Sequence, residues 1–185
     1  MISSGDLVKF INPPKYLCVL IAYTVAADVL PIFEKHFPKD LRPRKAVEAS
    51  KMYLDGYAVV AADAYTAAYA AYAAYDAYAA NATYDANAAY AAYAAYYAAA
   101  AAYVYATAVA IANTDYVARY AVRVSSKEHV FNLILSLLPQ MIDYAVENQI
   151  KLFTGPGDFS DIFEMLTDEQ KKSVIYNMDV IGGWK

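Results

Sequence analysis

The side chains able to do chemistry in this sequence are few and scattered. Two histidines, His36 and His129, stand far apart, and the single cysteine, Cys18, has no partner for a disulfide. A zinc site needs Cys, His or carboxylate ligands at short spacings. No such grouping occurs, so no metal and no cofactor are expected. Neither a Gly-rich phosphate loop nor a Gly-x-Ser-x-Gly elbow is present. Asp28, Asp63, Asp76, Asp85 and Asp115 lie within or beside apolar stretches. A pair of them facing a pocket can do acid–base work. With no helper residue beside any of them, they read as caps, solvated groups or hydroxyl partners for tyrosine.

The sharpest local feature is Asp40-Leu41-Arg42-Pro43-Arg44-Lys45-Ala46-Val47-Glu48-Ala49. Asp40 is placed to cap a helix, and Arg44 and Glu48, four apart, are spaced to pair along it. That leaves Arg42 for a neighbouring helix or an anionic ligand, with a salt-bridged corner as the simpler reading. The second feature is a run of tyrosines, 20 in the whole chain. Tyr69, Tyr72, Tyr75 and Tyr78 recur every third residue, as do Tyr90, Tyr93 and Tyr96. Each step of three falls about 60° short of a full helical turn, so the stripe winds around its helix. Buried tyrosines need a hydroxyl partner, and rings left outside offer rigid contact area.

The elements that must position these residues are helices. Alanine is the best helix former, and turn residues are scarce, with 6 Gly and 7 Pro. The first helix runs from about Pro14 to His36, with Pro31 placed to kink or split it. Phe37 to Asp40 connects it to a short helix opening at Arg42-Pro43-Arg44 and ending near Asp55-Gly56. A third spans Ala58 to Ala80, with a break at Asn81 to Asp85. A fourth spans Ala86 to Ala112, with a second break at Asn113-Thr114-Asp115 and a fifth helix over Tyr116 to Val124. Ser126 caps a helix from Lys127 to about Lys151, divided near Pro139. Gly155-Pro156-Gly157 breaks the chain, and Ser160 and Thr167 open short terminal helices, the latter through a Thr167 to Gln170 capping box. The expected fold is all-α, a compact bundle of about six to eight helices with two long Ala/Tyr-rich helices at its centre.

The net charge is −4 and no Lys/Arg run stands out, which argues against a nucleic-acid polymer as partner. No basic, apolar and small-residue succession marks a signal peptide, and a lone apolar cysteine fits a reducing compartment, so a cytoplasmic location is expected. The uncharged stretch Ala88 to Ala112 is long enough to span a bilayer. It is Ala and Tyr rather than Leu or Ile, and no cationic cluster flanks it, so a membrane partner is not expected.

The residues Leu30-Pro31-Ile32-Phe33-Glu34, Phe37-Pro38, the Asp40-x-Arg42-Pro43-Arg44-x-Ala46-Val47-Glu48-Ala49 block, Tyr53 and Gly56 resemble the immunity-protein family of the fifth polymorphic-toxin class. Ala106-Thr107-Ala108 through Tyr120-Ala121-Val122-Arg123 is similar to that family's closing helix. The resemblance covers roughly Pro14 to Val124 and implies small all-α proteins of bacteria and their phages, with Ala-rich helices in the second half. The family usually carries several His there, where this chain has mainly Tyr, Val or Asn. The organisation expected is a helical domain over 1–125 with a helical extension over 126–185 packed on it.

The resemblance implies neutralisation of a toxin or effector by binding, without catalysis. The candidate binding residues are Arg42, Arg44, Glu48, Tyr53, Tyr69, Tyr72, Tyr93 and Tyr96. A protein-binding neutraliser is expected to have exposed tyrosines and a polar core. A phage-type sponge that sequesters a nucleotide immune signal requires a closed Tyr-lined pocket with convergent arginines. A homo-oligomer, also expected, would bury the tyrosines between chains.

Overall fold

A computed structural model of the chain describes residues 4–56, 61–79, 86–104 and 107–150, together with 152, 164, 167–169, 171, 172 and 175. Among them are eight helices and no strand: α1 (Ser4–Ile11), α2 (Lys15–His36), α3 (Arg42–Leu54), α4 (Ala61–Ala79), α5 (Ala86–Tyr103), α6 (Thr107–Val124), α7 (Lys127–Ser136) and α8 (Leu138–Glu147). The all-α expectation holds. Expected breaks at residues 81–85 and 155–157, and the cap at Ser160, lie outside the described residues.

Helix α5 is the axis of the bundle and touches α2, α3, α4 and α6. Its composition explains that position. Ala91, Ala95, Ala98 and Ala102 fall at i, i+4, i+7 and i+11, one face of a 3.6-residue helix, and all four are buried. Methyl-sized side chains let neighbouring helices approach closely, and the absence of longer ones makes the seam intolerant of added volume. The bulk of the apolar core comes from elsewhere. Phe33, Leu7, Ile11, Leu17 and Ile21 from α1 and α2, and Ile134, Leu138, Met141 and Ile142 from α7 and α8, are fully buried. One apolar cluster joins both halves of the chain. The expected extension enters it through α7 and α8, while most of residues 151–185 lie outside the described set. Phe33→Ala is expected to cost about 3–5 kcal/mol, lowering the melting temperature by about 6–20 °C, because it removes a ring with no exposed surface. Thermal unfolding followed by circular dichroism reads this directly.

The expected polar core is not found. Ser50, Thr114 and Asp115 are the buried polar or charged residues among those described. Helix α1 was not foreseen, and its end at Asn12 is marked by a left-handed backbone, φ 45°. Gly56 takes the left-handed stop expected of it, with φ 76°. Ser126 caps α7 by accepting the His129 N–H at 3.0 Å. Pro139 sits in the first turn of α8, and the α7–α8 division falls just before it, as expected. Pro31 does not split α2, which continues through it with the proline side chain exposed.

The break expected at Asn113-Thr114-Asp115 does not occur, because α6 runs through it. Two of the three cap-type side chains, Thr114 and Asp115, are occupied here in a way that supports a helix. Thr114 Oγ1 lies 2.8 Å from the Ala110 carbonyl of the preceding turn and 3.0 Å from the Cys18 carbonyl of α2, and its hydroxyl donates between them. Asp115 is held by Arg119 Nε at 2.9 Å and Lys9 Nζ at 3.3 Å. The helix expected over 86–112 ends instead at Tyr103.

Two stretches, α2 and the α7–α8 pair, are long and apolar enough to cross a membrane by length and composition. In the bundle both line the core, with 61% of the α2 window buried.

Candidate functional site

The tyrosines cover the side of α4, α5 and α6 away from the alanine seam. On α4, Tyr65, Tyr69, Tyr72 and Asp76 stand at i, i+4, i+7 and i+11 and share one face. Tyr90, Tyr93, Tyr96 and Tyr97 follow on α5, and Tyr116 and Tyr120 on α6. Four of the expected site residues meet here. Tyr72 is 5.8 Å from Tyr93 and 5.4 Å from Tyr96, Tyr93 and Tyr96 are 5.5 Å apart, and Tyr69 is 6.4 Å from Tyr96, all between ring centroids. Tyr93 is the hub. It stacks on Tyr75 at 4.1 Å and meets Tyr97 at 4.9 Å and Tyr120 at 4.4 Å. Tyr97 continues the array by stacking on Tyr116 at 4.7 Å.

This array is open. Tyr69, Tyr65 and Tyr116 are 49%, 46% and 44% exposed, and the rings between them are half-buried. The Tyr97 hydroxyl donates to Tyr93 Oη at 3.3 Å. Burial pushes the Tyr96 and Tyr120 phenols up to about 12 and raises Tyr93 as well, so these three phenols at the centre of the face stay neutral throughout the neutral range. The residues of the array not among the expected site residues are Tyr65, Tyr75, Tyr90, Tyr97, Tyr116 and Tyr120. Tyr116 and Tyr120 were hidden by the break expected at 113–115, which removed them from a continuous helix beside α5.

The winding of the stripe carries Tyr78 to a different place. It stacks on Phe37 at 3.8 Å and donates its hydroxyl to Asp40 Oδ2 at 2.9 Å, at the corner between α2 and α3. Arg42 grips the same carboxylate, with Nε 2.9 Å from Oδ1 and Nη2 2.6 Å from Oδ2. Asp40 is not the N-cap of α3, which is Leu41 without a side-chain bond, but its Oδ1 accepts the Arg42 N–H at 3.1 Å. Arg42 is therefore engaged and not left for a ligand. Arg44 does not pair with Glu48. It reaches back to Glu34 on α2 at 2.6 Å, and Glu48 is exposed. The longer reach binds two helices, where an Arg44–Glu48 pair would have bound one helix to itself. Phe37, Pro38, Lys39, Asp40, Arg42 and Tyr78 line an open pocket of about 460 Å³. Tyr53 lies apart from both groups, under the Lys15 ammonium at 4.6 Å.

Hydrogen bonds from Arg42 hold the Asp40 carboxyl below its ordinary range. A carboxylate depressed in this way stabilises the fold above its unfolded value of about 3.9 and loses that contribution as pH falls through the folded value. Asp40→Asn is accordingly expected to lower stability at pH 7 by about 1 kcal/mol and to matter progressively less as pH falls below the unfolded value. Urea unfolding across that pH range checks this.

Elsewhere, His129 and Cys18 are both occupied. His129 Nε2 is 2.9 Å from Asp28 Oδ2, tying α7 to α2. Cys18 is buried, its thiol donates to the Pro13 carbonyl at 3.2 Å, and burial pushes its pKa up to about 12. It is expected to ignore a disulfide reagent at pH 8 in the native protein and to react fully in denaturant, which a colorimetric thiol count reads. No grouping of three His, Cys, Asp or Glu able to hold a metal occurs among the described residues.

Fold and site together define an all-α bundle protein that offers an aromatic surface on rigid helices, with its charged corner closed on itself. Residues 11–141 match the family model described as Imm-5 like putative immunity protein. The chain belongs to that family. The match runs beyond residue 125, into α7 and α8. No match was found among curated proteins or among solved structures.

Proposed function

We propose that this protein is a non-enzymatic immunity protein of the cytoplasm, which neutralises a toxin or effector by covering part of its surface with the tyrosine face of α4, α5 and α6. The observation that carries this reading is the continuity of that face, from Tyr65 and Tyr69 through Tyr93 and Tyr97 to Tyr116. Tyrosine supplies large amphipathic contact area and loses little side-chain entropy when bound. Rings already fixed against one another by their neighbours lose less still. Membership of an immunity family supports the same direction.

The nucleotide-sequestering alternative is less well supported. It needs arginines converging on stacked rings, and Arg42 and Arg44 are bound to Asp40 and Glu34, away from the face. The test is co-expression in a bacterial host with a panel of polymorphic-toxin domains. The expected result is restored growth against one domain and recovery of the pair as a complex. Rescue of none, together with a melting temperature raised by cyclic dinucleotides or ADP-ribose derivatives, would replace this reading with the alternative.

A further inference from the structure

The tyrosine face has a charge pattern as well as a shape. Helices α4 and α5 carry no Lys or Arg along their length, and their two carboxylates, Asp63 and Asp76, are both exposed. Asp76 belongs to the same helical face as Tyr65, Tyr69 and Tyr72. The faces of phenol rings attract cations through the ring quadrupole, and a planar guanidinium also stacks on them and donates to a nearby carboxylate.

The protein itself makes this contact at the opposite edge of the array. The Arg123 guanidinium of α6 lies over the Tyr90 ring at 5.1 Å. Arg119, also on α6, is drawn to Asp115 instead. On the α4 side the most exposed rings, Tyr65 and Tyr69, share a face with Tyr72 and, one turn beyond it, the Asp76 carboxylate, without any cation on that helix.

We propose that the α4–α5 half of the face receives an arginine-bearing, basic surface of the partner protein, with guanidinium groups stacked on Tyr65 and Tyr69 and a further one set between Tyr72 and Asp76. This rests on the protein-binding reading and adds the chemistry of the partner to it. Lysine fits less well, since an ammonium cannot stack or bridge a ring and a carboxylate as one planar group.

The test uses the whole protein and labelled peptides of six Gly-Arg, six Gly-Lys or six Gly-Glu repeats, with binding followed by fluorescence anisotropy at about 20 mM salt, where exposed charges are weakly screened. The Gly-Arg peptide is expected to bind more tightly than Gly-Lys, and Gly-Glu not to bind. Tyr65→Leu with Tyr69→Leu should weaken Gly-Arg binding about tenfold. Asp76→Asn should weaken it more than Asp143→Asn, an exposed change on α8 with the same effect on net charge. Equal effects of the two Asn variants, or unaltered binding in the Leu variant, would reduce the interaction to net charge and overturn the proposal. Absence of Gly-Arg binding would overturn it too, as would a gel-filtration dimer dispersed by the Leu variant, which would make a second copy the occupant. Toxin protection that still depends on Tyr69 while Gly-Arg peptides fail to bind would sink this inference and leave the protein-binding reading standing.

Discussion

Replacing Tyr69 and Tyr96 together with alanine is expected to weaken toxin binding by about 100- to 1,000-fold and abolish protection in co-expressing cells. Interface aromatics of this kind contribute about 2 kcal/mol or more each when they lie near the centre of a contact, and about 1.4 kcal/mol is tenfold in affinity. Tyr69 is half exposed and Tyr96 is partly buried against Tyr72 and Tyr93, so the pair samples both the reaching and the supporting layer of the array. Loss of binding must be separated from loss of fold. Tyr69→Ala alone removes an exposed ring and should leave the melting temperature within about 2 °C of the wild type. Titration calorimetry of the two variants against the purified toxin gives the affinities, and a double variant that binds as tightly as wild type would remove the face from the interface.

The second large effect is on stability. Ala95→Leu is expected to destabilise the protein by about 3 kcal/mol or more, lowering its melting temperature by about 6–12 °C, or to prevent folding. Ala95 has no exposed surface, and Ala91, Ala98 and Ala102 beside it on the seam have no long side chain that can move aside. Helix propensity does not enter, since Ala and Leu are both strong helix formers. Ala73→Leu, on the exposed side of α4, is the matched control and should change stability by less than about 0.5 kcal/mol. Similar unfolding midpoints for the two would contradict a close-packed alanine seam. The central helix thus divides its two residue types by role: alanine sets how near the neighbouring helices come, and tyrosine is displaced to the outside.

That division explains what was legible in the sequence and what was not. Alanine content and scarce turn residues specify helices almost by themselves, and Pro14, Gly56, Ser126 and Pro139 mark ends that the structure keeps. Tyr69, Tyr72, Tyr93 and Tyr96 could be expected to meet because two tyrosine-bearing helices follow one another in the chain. The third helix of the face could not be read. Asn113, Thr114 and Asp115 have the composition of a cap, and tertiary partners, Cys18 and Lys9, join the local ones, Ala110 and Arg119, in holding Thr114 and Asp115 within a continuous helix. The Asp40 to Glu48 block misled for a related reason. Local spacing favours Arg44 with Glu48, but packing brings Glu34 of α2 within reach, and a pair that joins two helices is the one formed. The separation of Arg42 from the tyrosine face follows from the drift of a three-residue repeat on a 3.6-residue helix. By Tyr78 the stripe has rotated away from its start and serves the α2–α3 corner.

In the proposed function, the tyrosine face is the surface a toxin covers. The most direct measurement is tyrosine-selective nitration read by mass spectrometry, on the free protein and on its complex with the toxin it neutralises. Tyr65, Tyr69 and Tyr116 are expected to be modified in the free protein and protected in the complex, while Tyr53, away from the face, is modified equally in both. Equal modification of Tyr65, Tyr69 and Tyr116 in both states, or protection confined to the α2–α3 corner, would contradict it.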